Sequence, residues 1–209
     1  MSWVFPLSSP QAADAGRFGP KAARLAALGH AGLPTPGGFC VDAAAYRAQL
    51  AHLGLEHAAR QVFASEDRPA ARRHALELKL GLMTGEILPA LRDELIRRFN
   101  AVVRSSALVE DQAGASFAGQ FQSYLGLEAE ADFLTAVRAC WAALWSTRAL
   151  RYFATHGLDP AQTAMGLIVQ PLVKARCAGG GLSRTAEGDM LVNAAAGPGS
   201  LVAQGDVVP

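Results

Sequence analysis

Apolar positions recur along this chain with two periods, and each period predicts its own kind of element. In "GPKAARLAALGHAGLPTPGGF", Ala22, Leu25, Ala26 and Leu28 form an apolar stripe at helical spacing. Gly32, Pro34 and Pro36 end that helix and open an extended segment into "GFCV". Asp42 stands where a cap is needed for a helix through "AAAYRAQLAHL". Residues 69–83 and 86–99 predict a helical pair, broken at Thr84-Gly85, with Pro89 in an early turn of the second. Arg92, Asp93, Glu94, Arg97 and Arg98 read as the solvated face of that second helix. "AVVRSS" is short, apolar and β-branched, hence a strand, and "GQFQSYLGL" alternates around Phe121 and Tyr124 as another. "DFLTAVRACWAALWSTRALRYFATHG" predicts one long helix with Asp132 as its cap and a stripe through Phe133, Val137, Cys140, Trp141, Leu144 and Trp145. "AMGLIVQPLV", "ARCAGGGLSR" and "DMLVNAAAG" predict sheet segments with Gly-rich joints. This order argues for an α+β chain and against a regular βαβ array.

Composition narrows the function classes. The 209 residues suffice for one sizeable core or two modest lobes. Hydrophobic residues at 51% against 18% charged argue against disorder. A net charge of +1 without a basic stretch argues against nucleic acid and a membrane surface as partners. No apolar run reaches the roughly 18 residues of a membrane span, and "MSWVFPLSSPQAADAG" lacks the charged and apolar regions of a signal peptide. A cytoplasmic protein is expected, with Cys40, Cys140 and Cys177 as small buried hydrophobes in a reducing compartment. His52 and His57 are five apart and fall on different helix faces, so no histidine metal site is expected. The chain stops after the strand-like run in "GPGSLVAQGDVVP", which suggests one part of something longer.

Candidate chemistry is scattered. Lys21 opens a helix, where free N–H groups and a partial positive charge suit a phosphate, although a surface lysine fits the stretch as well. Arg104 stands at the end of an apolar strand and needs a partner, either Glu110/Asp111 or a ligand oxyanion. The loop "DQAGASFAGQ" has Gly114 and Gly119 for unusual torsions and the Ser116 hydroxyl, but matches neither of the common phosphate-loop patterns. Arg148 and Arg151 either reach a cleft or complement a helix C-terminus. Gln170, Pro171, Leu172 and Val173 end an apolar strand, which is an ordinary core strand or a shelf whose backbone reads an adenine edge.

Taken in order, these pieces resemble the phosphoenolpyruvate synthase and pyruvate phosphate dikinase family. "GPKAARLAALGHAGLPTPGGFCVDAAAYR" is similar to that family's opening Gly-Gly-Lys segment, and "VRSSALVEDQAGASFAGQFQSYLGL" resembles its Val-Arg-Ser-Ser-Ala…Ala-Ser-Phe-Ala-Gly-Gln segment almost residue for residue. "CWAALWSTRALRYFATHG", "IVQPLVKARCAGGGLSRT" and "AAAGPGSLVAQGDVVP" resemble three further family segments in the same order. The resemblance covers most of the chain except residues 50–100, for which helices and a structural role are the reading.

That resemblance implies an ATP-grasp-like α+β domain of mixed sheets with flanking helices, incomplete at its C-terminal end. Sub-lobes are expected at 1–113 with 160–209, and at 114–159. The family implies binding of MgATP and transfer of a phosphoryl group to a histidine on a separate domain, then to pyruvate or a hydroxyl compound. Lys21 and Arg104 would hold the triphosphate as the catalytic cations. Gly114, Ala115, Ser116, Gly119 and Gln120 would close over the phosphates, Arg148 would lie on the phosphate side, and Gln170 to Val173 on the adenine side. Two departures stand out: Pro20 replaces a glycine and removes one N–H donor, and Ser200 stands where the family has an acidic residue. Ligands for Mg2+, the phospho-histidine domain and the acceptor domain are expected beyond Pro209 or on a partner subunit, leaving the isolated chain inactive. The alternative is a non-catalytic, degenerate nucleotide-binding or scaffold subunit.

Overall fold

A computed structural model describes residues 2–99, 102–108, 121, 123–199 and 202. In chain order it contains β1 (Val4–Pro6), a 3-10 turn (Pro10–Ala13), α1 (Ala15–Phe18), α2 (Pro20–His30) and β2 (Phe39–Val41). Then come α3 (Ala43–His52), α4 (Glu56–Ala64), α5 (Arg68–Thr84), α6 (Pro89–Ile96), β3 (Val102–Ala107) and β4 (Ser123–Tyr124). They are followed by α7 (Glu130–Ala142), a 3-10 turn (Ala143–Trp145), α8 (Thr147–Thr155), β5 (Met165–Gln170), β6 (Cys177–Leu182) and β7 (Leu191–Ala196). The chain divides into two compact units, Met1–Leu172 and Val173–Pro209.

In the first unit the strands line up as β1-β2-β5-β3-β4, with every described pairing antiparallel. Consecutive residues of a strand point to opposite faces, and here both faces are covered. Val41, Val103, Leu167 and Val169 enter a large core with the helices from α3 to α8. Cys40 and Ile168 point the other way, into a smaller core with Leu7, Phe18, Ala22 and Ala26 under α1 and α2. Burial on both faces is why "FCV" and "MGLIVQ" are apolar throughout instead of alternating. The α+β class follows directly.

Several expectations are corrected. Residues 130–155 form two helices, because Ser146 leaves the helical conformation after the 3-10 turn and caps α8 by accepting from the Ala149 N–H. Asp132 lies inside the first turn of α7, where its charge favours the helix N-terminus, and Ala129 holds the cap position. The helix expected over 86–99 is confined to Pro89–Ile96, since Pro89 occupies its first turn and residues 86 and 88 are bound by Gln49. Glu94 is not on a solvated face: it is 8% exposed and accepts from the Ser2 hydroxyl, the Trp3 N–H at 3.1 Å and Arg98 at 3.0 Å. α4, unmarked by any strong signal, buries Ala58, Ala59 and Val62.

The second unit contains the β6–β7 hairpin, paired from Cys177↔Ala196 to Leu182↔Leu191. Gly179 and Gly181 bring β6 so close to the Asn193 and Leu191 carbonyls that a Cβ would lie 2.3 and 2.5 Å from them. Cys177 is exposed, unlike Cys40 and Cys140.

Candidate functional site

The site begins at a close backbone approach. Gly19 has φ +81°, and a Cβ there would sit 2.3 Å from the Ser106 carbonyl oxygen. Only glycine accommodates both conditions. The approach pins the start of α2 to the end of β3. Pro20 then takes the first helical position, where its missing N–H costs no helical bond. Lys21 follows. The next N–H, that of Ala22, donates to the Ser106 hydroxyl at 3.3 Å, so the cap of α2 comes from another element.

Arg104 lies two residues before Ser106 and hence on the same sheet face. It is not at the strand end: it sits inside β3, paired with Ile168 on β5 and Ser123 on β4. Ile168 belongs to the small core under α2, which confirms the face. The fold therefore brings Lys21 and Arg104 to one side of the sheet, about 7 Å of strand separating Arg104 from the residue on which α2 starts. Arg104 is half-buried and forms no ion pair among the described residues. Its suggested internal partners, Glu110 and Asp111, lie outside the described residues, as do Gly114, Ala115, Ser116, Gly119, Gln120 and Ser200.

A second approach joins the next two segments. Gly38 has φ +105°, and a Cβ there would meet the Val169 carbonyl at 2.1 Å. Beside it, the buried Gln170 side chain donates to the Gly37 carbonyl at 3.1 Å. β5 stops at Gln170, and Pro171, Leu172 and Val173 lie past the strand with exposed side chains, where a continuing strand was expected. Proline cannot donate to a ladder and ends it. The Leu172 backbone enters no backbone hydrogen bond among the described residues.

Arg148 lies on α8. It occupies the first turn of α8, not a helix C-terminus, because Ser146 starts a new helix. The buried residues of α8, Ala149 and Phe153, belong to the large core across the sheet from α2.

One cation near α2 carried no sequence signal. Arg17 donates to Asp42 Oδ2 from Nε at 2.8 Å and from Nη2 at 2.6 Å, and packs over the rings of Phe5 and Phe18 at 4.9 and 5.0 Å. Asp42 also caps α3 through the Ala44 N–H. Arg17 thus clasps α1 to α3, its charge neutralised within the fold. Nearby, burial pushes the Cys40 and Cys140 thiols up to about 12, which makes them packing groups and not nucleophiles. Among the described residues no group of three or more His, Cys, Asp or Glu side chains could hold a metal ion.

The segments that these contacts tie together, "GPK", "PGGF", "VRSSA" and "IVQ", are those of the resemblance, and comparison with known proteins decides the matter. Residues 15–209 match the family described as "Pyruvate phosphate dikinase, AMP/ATP-binding domain". The chain belongs to this family. Among its relatives, the probable phosphoenolpyruvate synthase of Methanothermobacter thermautotrophicus is 31% identical over 94% of this chain and 31% of its own length. The prodigiosin synthesizing transferase PigC of Serratia marcescens is 35% identical over 84% of this chain and 19% of its own. An uncharacterized phosphotransferase of Bacillus subtilis, YvkC, is 30% identical over 91% and 22%. The chain therefore spans less than a third of the length of these curated relatives. As a member of the AMP/ATP-binding domain family it carries that family's nucleotide-binding role at domain level. No helix among the described residues is long and apolar enough to cross a membrane.

Proposed function

We propose that this chain binds MgATP, with Lys21 and Arg104 on the triphosphate, and serves a phosphotransferase that passes a phosphoryl group to a histidine outside residues 1–209. From that histidine the group goes to a small acceptor, pyruvate or a hydroxyl compound. The observation that carries the reading is the Gly19–Ser106 approach. It sets a helix N-terminus with its lysine beside a strand arginine that has no ion-pair partner among the described residues. Phosphoryl transfer asks a protein chiefly for positioning and charge neutralisation. Two cations on one sheet face supply both to the phosphate oxygens, and the Lys21 N–H adds a fixed donor. The Gly114–Gln120 loop closes over the phosphates, and the backbone past Gln170 reads the adenine edge. Arg148, in the first turn of α8, serves the phosphate side. Mg2+, when bound with ATP, neutralises phosphate charge, and its protein ligands lie outside the described residues.

Calorimetry on the natural full-length protein tests the reading. MgATP should bind saturably, and Lys21→Ala or Arg104→Ala should weaken it by about tenfold or more, as expected for loss of one charge-assisted contact. Saturating nucleotide at about 100 times Kd should add about 2.7 kcal/mol of stability. Unchanged affinity in both variants would sink the assignment. A second reading, a nucleotide-binding subunit without transfer, is favoured by Pro20, which leaves one donor fewer at the start of α2. ATP labelled at the β or γ phosphate separates the two: label retained on a histidine supports transfer, and binding without label supports the second reading.

A further inference from the structure

The helices between residues 56 and 84, for which the sequence offered only a structural role, form one wall of an open groove. Its volume is about 690 Å³, and α4, α5 and α8 enclose it. Along α5 the lining residues Arg68, Arg72, Ala75, Leu76 and Lys79 recur at helical spacing. From Arg68 to Lys79 the groove follows about 16 Å of helix axis. The facing wall is Leu150, Arg151 and Ala154 of α8, again one turn apart. The floor is small and apolar, from Ala71 and Ala75 to the indole of Trp145, which donates to the Tyr46 hydroxyl at 2.9 Å and is thereby fixed. Phe63 and Leu76 remain 38% and 55% exposed at the lip. Four cations, Arg68, Arg72, Lys79 and Arg151, stand around this floor, and the lining contains no acidic residue. None of the four forms an ion pair among the described residues.

We propose that this groove docks an acidic amphipathic helix of a separate polypeptide. A trench between two helices, three turns long and floored by alanine, admits a third helix at close interaxial distance. Its apolar face would cover Phe63 and Leu76. Its acidic flanks would meet Arg68, Arg72 and Lys79 on one side and Arg151 on the other. Charge complementarity of this kind sets register and orientation. The groove lining includes neither Lys21 nor Arg104.

The test uses the natural full-length protein and a fluorescein-labelled helical peptide of about 16 residues, with leucines on one face and glutamates on its flanks. Fluorescence anisotropy should show saturable binding. The double variant Arg72→Glu/Lys79→Glu and the single variant Leu76→Asp alter exposed positions and should each weaken it by about tenfold or more with the fold intact by circular dichroism. A control peptide with serines in place of leucines should bind no better than those variants. Three results overturn the proposal: no saturable binding, as when another domain of the same protein already covers the groove; equal binding by wild type and the charge-reversed variant; or capture by phosphatidylserine vesicles that the peptide does not compete away.

Discussion

The Ser106 hydroxyl accepts from the Ala22 N–H, and the Ser106 carbonyl lies where a side chain on Gly19 would have to go. One residue of β3 thus fixes both the cap and the entry angle of α2. Ser106→Ala should lower stability by about 1 kcal/mol, the worth of a cap. Gly19→Ala should cost more than about 1 kcal/mol, because it adds a positive-φ penalty to a backbone clash. Urea midpoints at unchanged m-value check both, and a Gly19→Ala protein as stable as the wild type would contradict the approach. Glu94 makes the second residue-scale case. Burial alone would raise its pKa, but hydrogen bonds from Ser2, the Trp3 N–H and Arg98 outweigh burial and hold it below the ordinary carboxylate value. A depressed carboxylate stabilises fully above its unfolded pKa of about 4.3 and loses that contribution as pH falls through its folded pKa. Glu94→Gln should therefore cost about 1.5–3 kcal/mol at neutral pH and flatten the fall in stability below about pH 4. Denaturant titrations across pH give the comparison.

At the scale of elements, polar side chains in otherwise apolar positions decide where helices stop. Gln49 is fully buried, donates to the Glu86 carbonyl and accepts from the Leu88 N–H, both at 2.8 Å. It ties α3 to the segment between α5 and α6 and delays α6 until Pro89. Gln49→Leu should remove the side-chain partner of two part-buried backbone groups, at about 0.5–1.5 kcal/mol each. Thermal unfolding should register the loss, and a shift no larger than that of an exposed substitution would refute the role. Ser146 does the same between α7 and α8. The apolar stripe runs unbroken from Phe133 to Trp145, so periodicity alone predicts one helix. The cap function of a serine competes with helix interior and is settled by what each half packs against. The same competition explains Arg148: a change of helix at Ser146 moves it from an expected C-terminal turn to an N-terminal one.

Over the whole molecule, the two faces of the first sheet divide the labour. One face holds the large helical core, and the other holds the smaller core under α2, the helix that carries Lys21, with Arg104 on β3 facing that side. The cysteines report this layering. In the native chain a thiol reagent should label Cys177 alone, and after unfolding all three, because Cys40 and Cys140 are buried with thiols held near 12. Mass spectrometry of the labelled protein would show the count, and native labelling of Cys140 would contradict the packing. The sequence by itself determined the α+β class, the major helices and strands, the family, and the segments that carry Lys21, Arg104 and Gln170. Each of those is written in local periodicity or in a run of adjacent residues. Only the tertiary structure decided that α2 starts on Ser106, that Gln170 turns inward onto Gly37, that Glu94 is buried and that Arg148 stands in the first turn of a separate helix. Those facts depend on contacts between residues dozens of positions apart, such as Gly19 with Ser106, and a hydrogen bond or a close approach across that distance leaves no period in the chain.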